Sequence, residues 1–383
     1  MAWTDFHPHP LCFHPHLMTV LPRLRWWRPP PPIDIPNHSR LFTVAPDSQL
    51  LGYCHWQPLR RRARTLILVH GFEGCSDSHY MFGIADKAWR AGLNVIRLNQ
   101  RNCGGTEHLT PTLYHSGMSG DVAAVVRELA DKDGVDDIWA AGYSMGGNLV
   151  LKMAGESGTG LPSLKGIVAV CPNIDPAACV SALEQPTNWF YQHYFLTRLK
   201  ARVRRKAAHF PGKFDLASLD RTRSLREFDD RYTAFHGEFS DANDYYERVG
   251  ARHVLHQIKV PTLIIASQDD PFIPFGTFTT PAVQSNPMIR ILATEQGGHC
   301  GFFQRPRQNE DCYWAENRLV AFVVRGGLLW AAPAIRPPAT SLLPGNASPH
   351  AGTQPIPGHP LCADPAPTGI HPILKRPVRR SQR

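Results

Sequence analysis

A serine stands at the centre of a glycine-rich segment that lies between a strand-like run and a helix-like run. Residues 142–147 read GYSMGG, with Ser144 as the third residue. Residues 138–141 before it are apolar, and residues 148–154 after it are mostly apolar and favour a helix. Small residues around the serine allow a sharp turn from strand to helix that presents the hydroxyl at the helix start. This order restricts the chain to folds in which strands and helices alternate.

Short apolar runs alternate with amphipathic segments along most of the chain, which is typical of a parallel sheet covered by helices. Six runs are predicted to be strands, at 65–70, 93–98, 138–143, 166–171, 262–266 and 289–292. Helices are predicted around 81–91 and 119–129, where apolar residues recur at helical spacing. The sequence therefore predicts an α/β fold with one mainly parallel central sheet flanked by helices.

Residues 173–257 interrupt this alternation, because they are rich in aromatic side chains and mostly helical in pattern. An insertion there is expected to form a cap over the carboxyl edge of the sheet, where ligands of open α/β sheets bind. The predicted organisation is an N-terminal arm at 1–40 packed on the core, a core at 41–172 and 258–326, a cap at 173–257, and a tail at 327–383. The tail is basic and proline-rich and is expected to be disordered.

The formal net charge of +9 does not predict a nucleic-acid partner, because of where the charge lies. Residues 331–383 contain six basic residues and one acidic residue, so more than half of the excess belongs to the tail. A second basic group lies on helix-like sequence and is predicted to be a solvated face. Its members are Arg198, Lys200, Arg202, Arg204, Arg205 and Lys206.

The nine cysteines are scattered, without the close pairs of a disulfide framework or a zinc site. We therefore expect reduced thiols, a cytoplasmic location and no bound metal or organic cofactor. No apolar run approaches the roughly 18 residues of a membrane span, and the first residues lack the pattern of a secretion signal. His7, His9, His14 and His16 in the arm have no accompanying cysteine or aspartate cluster, so they do not predict a metal site either.

A serine hydroxyl becomes a nucleophile only when a histidine, oriented by a carboxylate, takes its proton. The strand predicted at 262–266 is followed by Asp269 and Asp270, and the strand at 289–292 is followed by His299 between glycines. The order serine, acid, histidine on loops after strands is the one found with this type of serine turn. We predict Ser144, Asp270 and His299 as a catalytic triad, with Asp269 as the alternative acid.

The segment after the first predicted strand, 70–74, reads HGFEG and matches a loop that supplies one backbone N–H to an oxyanion hole. Met145, the residue after the predicted nucleophile, supplies the other N–H. Together these segments predict acyl transfer on a small ester substrate.

Several motifs in order resemble the YheT-like branch of the α/β-hydrolases, a group that includes bacterial esterases and eukaryotic lipid hydrolases and acyltransferases. The resemblance extends from His16 to about Phe303, and its motifs are HGFEG at 70–74, RNCGG at 101–105, LYHSG at 113–117, 142–148, DDRYT at 229–233, DYY at 244–246, 261–271 and GGHCGF at 297–302. It implies an α/β-hydrolase fold with a helical cap, a triad of Ser144, Asp270 and His299, and oxyanion amides on Phe72 and Met145.

The sequence departs from the family pattern at Asn102, Met18 and Ser48, where glycine, glutamine and glycine are usual. None of these belongs to the predicted triad. Three functions remain open: an esterase or lipase for short- to medium-chain acyl esters or monoacylglycerols, an alcohol acyltransferase that uses the same acyl-enzyme, and a non-catalytic scaffold. The sequence carries no signal for an oligomeric state.

Overall fold

The computed structural model describes residues 5–24, 35–307 and 310–328. The tail predicted at 327–383 lies almost wholly outside the described residues. The strands are β1 (His38–Ala45), β2 (Ser48–His55), β3 (Thr65–Val69), β4 (Asn94–Leu98), β5 (Ile138–Tyr143), β6 (Leu164–Val170), β7 (Thr262–Ser267) and β8 (Ile289–Thr294). They form one sheet in the order β1-β2-β4-β3-β5-β6-β7-β8.

Helices cover both faces of this sheet and connect its parallel strands. They are α1 (Pro15–Val20), α2 (His79–Arg90), α3 (Ser119–Asp133), α4 (Met145–Ser157), α5 (Pro176–Leu183), α6 (Trp189–His209), α7 (Leu216–Arg221), α8 (Leu225–Phe228), α9 (Ala242–Val249), α10 (Pro281–Gln284) and α11 (Trp314–Val324). In the part of the chain that the structure describes, no helix is both long and apolar enough to cross a membrane.

The central strands are buried on both faces, as strands of a helix-covered parallel sheet must be. All five residues of β3 are buried, and their side chains alternate between two apolar clusters. Ile67 and Val69 join one cluster with side chains of α3 and α4, whereas Leu66 and Leu68 join the other with side chains of α2 and α11. The predicted mainly parallel sheet flanked by helices is confirmed.

The six predicted strands are all present, but β1 and β2 were missed. Both pair antiparallel, β1 with β2 and β2 with β4. In β1 only Phe42 is fully buried, and in β2 buried and half-buried residues alternate. Strands with one partly solvated face carry no continuous apolar run, so a search for such runs does not detect them.

The cap is inserted between β6 and β7 and comprises α5 to α9, with a π-helical segment at Asp229–Ala234. Some of its aromatic residues hold it together, since Tyr245 and Tyr246 form a small cluster with Ala234 and Val249. Others face outward, and Trp189 at the start of α6 is 65% exposed. The helical cap insertion predicted from the sequence is confirmed, while the stated domain limits stay a prediction.

Candidate active site

Ser144 occupies a strained turn between β5 and α4. Its φ of 52° is positive, which is unfavourable for a residue with a Cβ atom. The glycines around it are required by space, because a Cβ atom on Gly146 would lie 2.3 Å from the carbonyl oxygen of Val69. A Cβ atom on Gly142 would lie 2.1 Å from the carbonyl oxygen of Gly146. The sharp turn therefore depends on residues without side chains, as the GYSMGG pattern indicates.

His299 and Asp270 are brought together from the loops after β8 and β7. His299 Nδ1 lies 2.8 Å from Asp270 Oδ2, and the Asp270 side chain is almost fully buried. The other carboxylate oxygen accepts hydrogen bonds from the backbone N–H groups of Phe272 and Ile273, at 3.0 and 2.9 Å. Burial alone would lower the pKa of His299, but the nearby Asp270 carboxylate and the Cys300 sulfur raise this pKa. The pair is thus a fixed imidazole and carboxylate couple.

Asp269, the alternative acid, has a different contact. Its Oδ1 accepts a hydrogen bond from the backbone N–H of Gly298 at 2.9 Å, next to the histidine. Burial raises the pKa of Asp269, and this bond from Gly298 opposes the rise. Asp269 therefore contacts the backbone of the histidine loop, whereas Asp270 contacts the imidazole.

The two predicted oxyanion donors lie on two different segments of the chain. Phe72 lies in the loop after β3, and Met145 is the first residue of α4. The loop is held on both sides of Phe72, because the N–H of Gly71 donates to Tyr80 Oη at 2.8 Å and that of Glu73 donates to Tyr114 Oη at 3.1 Å. The backbone beside Phe72 is therefore held by one buried tyrosine, Tyr114, and one half-buried tyrosine, Tyr80.

Ser144 opens onto two adjoining cavities beneath the cap. The larger has a volume of about 500 Å³, and His299 is among its lining residues. The smaller has a volume of about 80 Å³ and is lined largely by apolar residues of the cap and by Met145. Ser144, Phe72, Phe195 and Phe272 line both cavities. Ser144 thus lies where the two cavities meet.

The arm contributes a contact that sequence reasoning missed. Thr19 Oγ1 in α1 accepts a hydrogen bond from the backbone N–H of His299 at 2.8 Å. The glycines beside the histidine make this approach possible, since a Cβ atom on Gly301 would lie 2.1 Å from the carbonyl oxygen of Met18. The glycines flanking His299 gave an indirect signal, but nothing in the sequence near Thr19 pointed to this role.

The basic group on α6 is not a uniformly solvated face, and that prediction was wrong for two of its members. Arg202 is 4% exposed and donates to both carboxylate oxygens of Glu73, at 3.0 and 2.9 Å. Lys206 is fully buried and donates to Asn102 Oδ1. These cations face inward because the loops below α6 offer buried oxygen acceptors, which no helical pattern reveals.

The lysine contact also accounts for the unusual Asn102. Its φ of 64° lies in the left-handed region, which glycine adopts freely and which asparagine tolerates better than most residues. The Asn102 amide nitrogen donates to the carbonyl oxygen of Thr112 at 3.1 Å, while its amide oxygen accepts from Lys206. The side chain thus gains two partners at a position where the family usually has none.

Comparisons with known proteins agree with this architecture. A family model of the alpha/beta hydrolase fold matches residues 64–306. The YheT protein of Escherichia coli (strain K12) is 33% identical over 307 residues, covering 79% of this chain and 88% of that protein. Phospholipase ABHD3 of Mus musculus is 30% identical and covers 64% of this chain, which spans 60% of the length of that relative. The crystal structure of 2,6-dihydroxy-pseudo-oxynicotine hydrolase has a TM-score of 0.52 at 16% identity, covering 77% of this chain and 69% of the other.

The sheet order, the strained serine turn and the overlying cap define an α/β hydrolase. By these comparisons the chain belongs to the α/β-hydrolase superfamily, within its YheT-like branch, as the sequence motifs predict. It is a hydrolase with esterase- and lipase-like relatives.

Proposed function

We propose that this protein is a serine hydrolase of carboxylic esters in which Ser144, His299 and Asp270 act as the catalytic triad. The observation that carries the proposal is the 2.8 Å contact between His299 Nδ1 and Asp270 Oδ2 in the cavity that Ser144 also lines. A carboxylate bound to Nδ1 keeps the proton on that nitrogen and leaves Nε2 as the base. Burial of Asp270 maintains this orientation.

In the proposed reaction, Ser144 Oγ attacks the ester carbonyl carbon while His299 takes the hydroxyl proton. The bond to the alcohol breaks, and His299 returns the proton to the departing oxygen. Water then attacks the acyl-enzyme by the same route and releases the acid and free Ser144. The N–H groups of Phe72 and Met145 stabilise the oxyanion in both steps, and each donor contributes roughly 3 to 4 kcal/mol in comparable enzymes.

The substrate class is proposed from the two cavities. We propose short- to medium-chain acyl esters or monoacylglycerols, because the small apolar cavity can hold an acyl chain while the larger one receives the alcohol portion. The phospholipase name of the mouse relative is in keeping with an ester of this kind. A panel of p-nitrophenyl and glyceryl esters of rising chain length would measure this preference.

The nucleophile is tested by Ser144→Ala. We expect this variant to lose labelling by a fluorophosphonate probe and to retain at most about a thousandth of the wild-type turnover, the background that binding and oxyanion donors sustain. Ser78→Ala is the matched control, because Ser78 lines the same cavity and should keep its labelling at Ser144. Normal labelling of Ser144→Ala would contradict the assignment.

A further inference from the structure

Three soft donor groups that are far apart in the sequence meet beside the proposed base. They are Cys171, which directly follows β6, and His299 and Cys300 in the loop after β8. Their sulfur atoms and an imidazole nitrogen all lie within 4.8 Å of one another. The sequence predicts no metal site because its cysteines are far apart along the chain. The fold nevertheless brings two of them close together in space.

The backbone at both cysteines is unusual. Cys171 has a φ of 44° and Cys300 a φ of 61°, so both occupy the left-handed region that residues with a Cβ atom avoid. Such outliers persist only where the surrounding structure holds them, and they concentrate at functional sites. Two of the described cysteines are thus held near a common centre in a conformation that is locally unfavourable.

Two thiolates and one imidazole are a donor set that Zn²⁺ prefers, with bonds of about 2.3 Å to sulfur and about 2.0 Å to nitrogen. Tetrahedral geometry places two such sulfur atoms about 3.8 Å apart and a sulfur and a nitrogen about 3.5 Å apart, so the present separations need to contract by at most about 1.3 Å. His299 and Cys300 line the 500 Å³ cavity, which gives an ion a path from solvent and leaves room for a fourth ligand.

We propose that Cys171, Cys300 and His299 form a Zn²⁺ site whose occupation inhibits the hydrolase. This inhibition rests on the proposed function, because an ion bound to the imidazole removes the base that Ser144 requires. If zinc binds Nε2, the proton acceptor is lost; if it binds Nδ1, the contact with Asp270 is broken. Binding releases the thiol protons to solvent, and no oxidant or reductant takes part.

The binding experiment is independent of catalysis. Zn²⁺ is titrated by calorimetry into Ser144→Ala protein, and into the same protein with Cys171→Ala or with Cys75→Ser added. Removal of Cys171 should weaken binding by at least about tenfold, because one of three protein ligands is lost. Cys75 is a half-buried thiol outside this group, so Cys75→Ser should bind zinc like its parent. Equal affinity in all three proteins would overturn the proposal.

Two further measurements keep the test decisive. Co²⁺ added to the wild-type protein should show the intense absorption of thiolate ligation, and a spectrum without it would overturn the site even if Cys171→Ala failed to fold. Zn²⁺ should inhibit wild-type ester hydrolysis reversibly, with recovery on adding a chelator, and inhibit Cys171→Ala less when each rate is normalised to its own metal-free value. If metal-free wild-type protein hydrolysed no ester but still bound zinc, that result would count against the proposed function alone.

Discussion

At the scale of single residues, the two neighbouring aspartates divide their contacts between a side chain and a backbone. Asp270 accepts from the imidazole and from two backbone N–H groups, and Asp269 accepts from the N–H of Gly298. An asparagine can replace a carboxylate that only accepts a backbone hydrogen bond. It cannot replace one that must hold an imidazole in a single tautomer.

We therefore expect Asp270→Asn to reduce kcat by about ten-thousandfold, as in other triads, and Asp269→Asn to reduce it far less. Turnover of both variants on one activated ester measures the difference, with circular dichroism as the check on folding. The assignment would be reversed if Asp269→Asn proved the more damaging change.

Much of the site could be predicted from the sequence because its parts are local. The serine turn, the aspartate pair and the glycine-flanked histidine can each be recognised from a few consecutive residues. Their order along the chain then indicates that they belong to one site. The Thr19 contact and the meeting of Cys171 with Cys300 depend on how distant segments pack. No periodicity or spacing within a segment carries that information.

At the scale of elements, α6 is joined to the oxyanion loop by a buried ion pair. Arg202 and Glu73 are 4% exposed each, and Tyr114 Oη also donates to Glu73 at 2.8 Å. Because Glu73 directly follows Phe72, the position of this cap helix is coupled to one proposed oxyanion donor. The helix-like sequence correctly indicates a helix here, but the prediction of a solvated face was wrong for Arg202, which is buried.

Arg202→Met should destabilise the protein by about 3 to 5 kcal/mol, since removal of one partner leaves a buried carboxylate without its main counter-ion. Adding Glu73→Gln should recover much of that loss. Urea unfolding of the single and double variants measures both effects. Arg204→Met is the control, because the Arg204 and Asp220 pair is exposed on both sides and should contribute no more than about 1 kcal/mol. Equal losses of unfolding free energy for Arg202→Met and Arg204→Met would contradict a stabilising role for the buried Arg202 and Glu73 pair.

A second property of the cap is a pH-dependent contribution to stability from Asp229. Burial raises the pKa of Asp229 from 3.8 to about 6, although Thr233 and Tyr246 donate hydrogen bonds to its carboxylate. The folded state then binds the proton more readily than the unfolded state. The contribution of Asp229 is therefore most favourable at low pH and is lost as the pH rises through about 6.

Asp229→Asn should raise the melting temperature above pH 6, by the equivalent of at most about 3 kcal/mol, and the gain should vanish near pH 4. Thermal unfolding of wild type and variant across this range tests the sign. Asp230→Asn alters the exposed neighbouring carboxylate and should show no such trend. A gain for Asp229→Asn that is independent of pH would point to packing instead of ionisation.

At the scale of the whole molecule, the described part of the N-terminal arm packs against the core. Met18 and Cys12 are buried against Phe303 and Tyr313, and Trp314 Nε1 donates to the carbonyl oxygen of Asp5 at 3.1 Å. Along with the bond from the backbone N–H of His299 to Thr19, these contacts link the first described residues to the loop that carries His299. The residues beyond 328 differ in composition, with many prolines and little apolar periodicity.

A variant that ends after Gly327 should keep its melting temperature and specific activity, because composition predicts no core in the segment removed. A large loss of either would show that the tail docks on the hydrolase. Removal of residues 1–24 is the matched comparison. It should lower both quantities, since it uncovers Phe303 and deletes the partner of the His299 backbone.

The place of the cap in the chain has a consequence for how the molecule matures. Ser144 precedes the insertion, whereas Asp270 and His299 lie after it, in the loops that follow the last two strands of the sheet. During synthesis the proposed nucleophile emerges first, and β7 cannot pair with β6 until residues 171–261 have left the ribosome. Pairing of two strands across so long an insertion is slow, because the ends of the insertion must come together before any contact stabilises the pair. We expect the nascent protein to be chemically inert until its final strands dock, so that the onset of ester cleavage marks the end of folding.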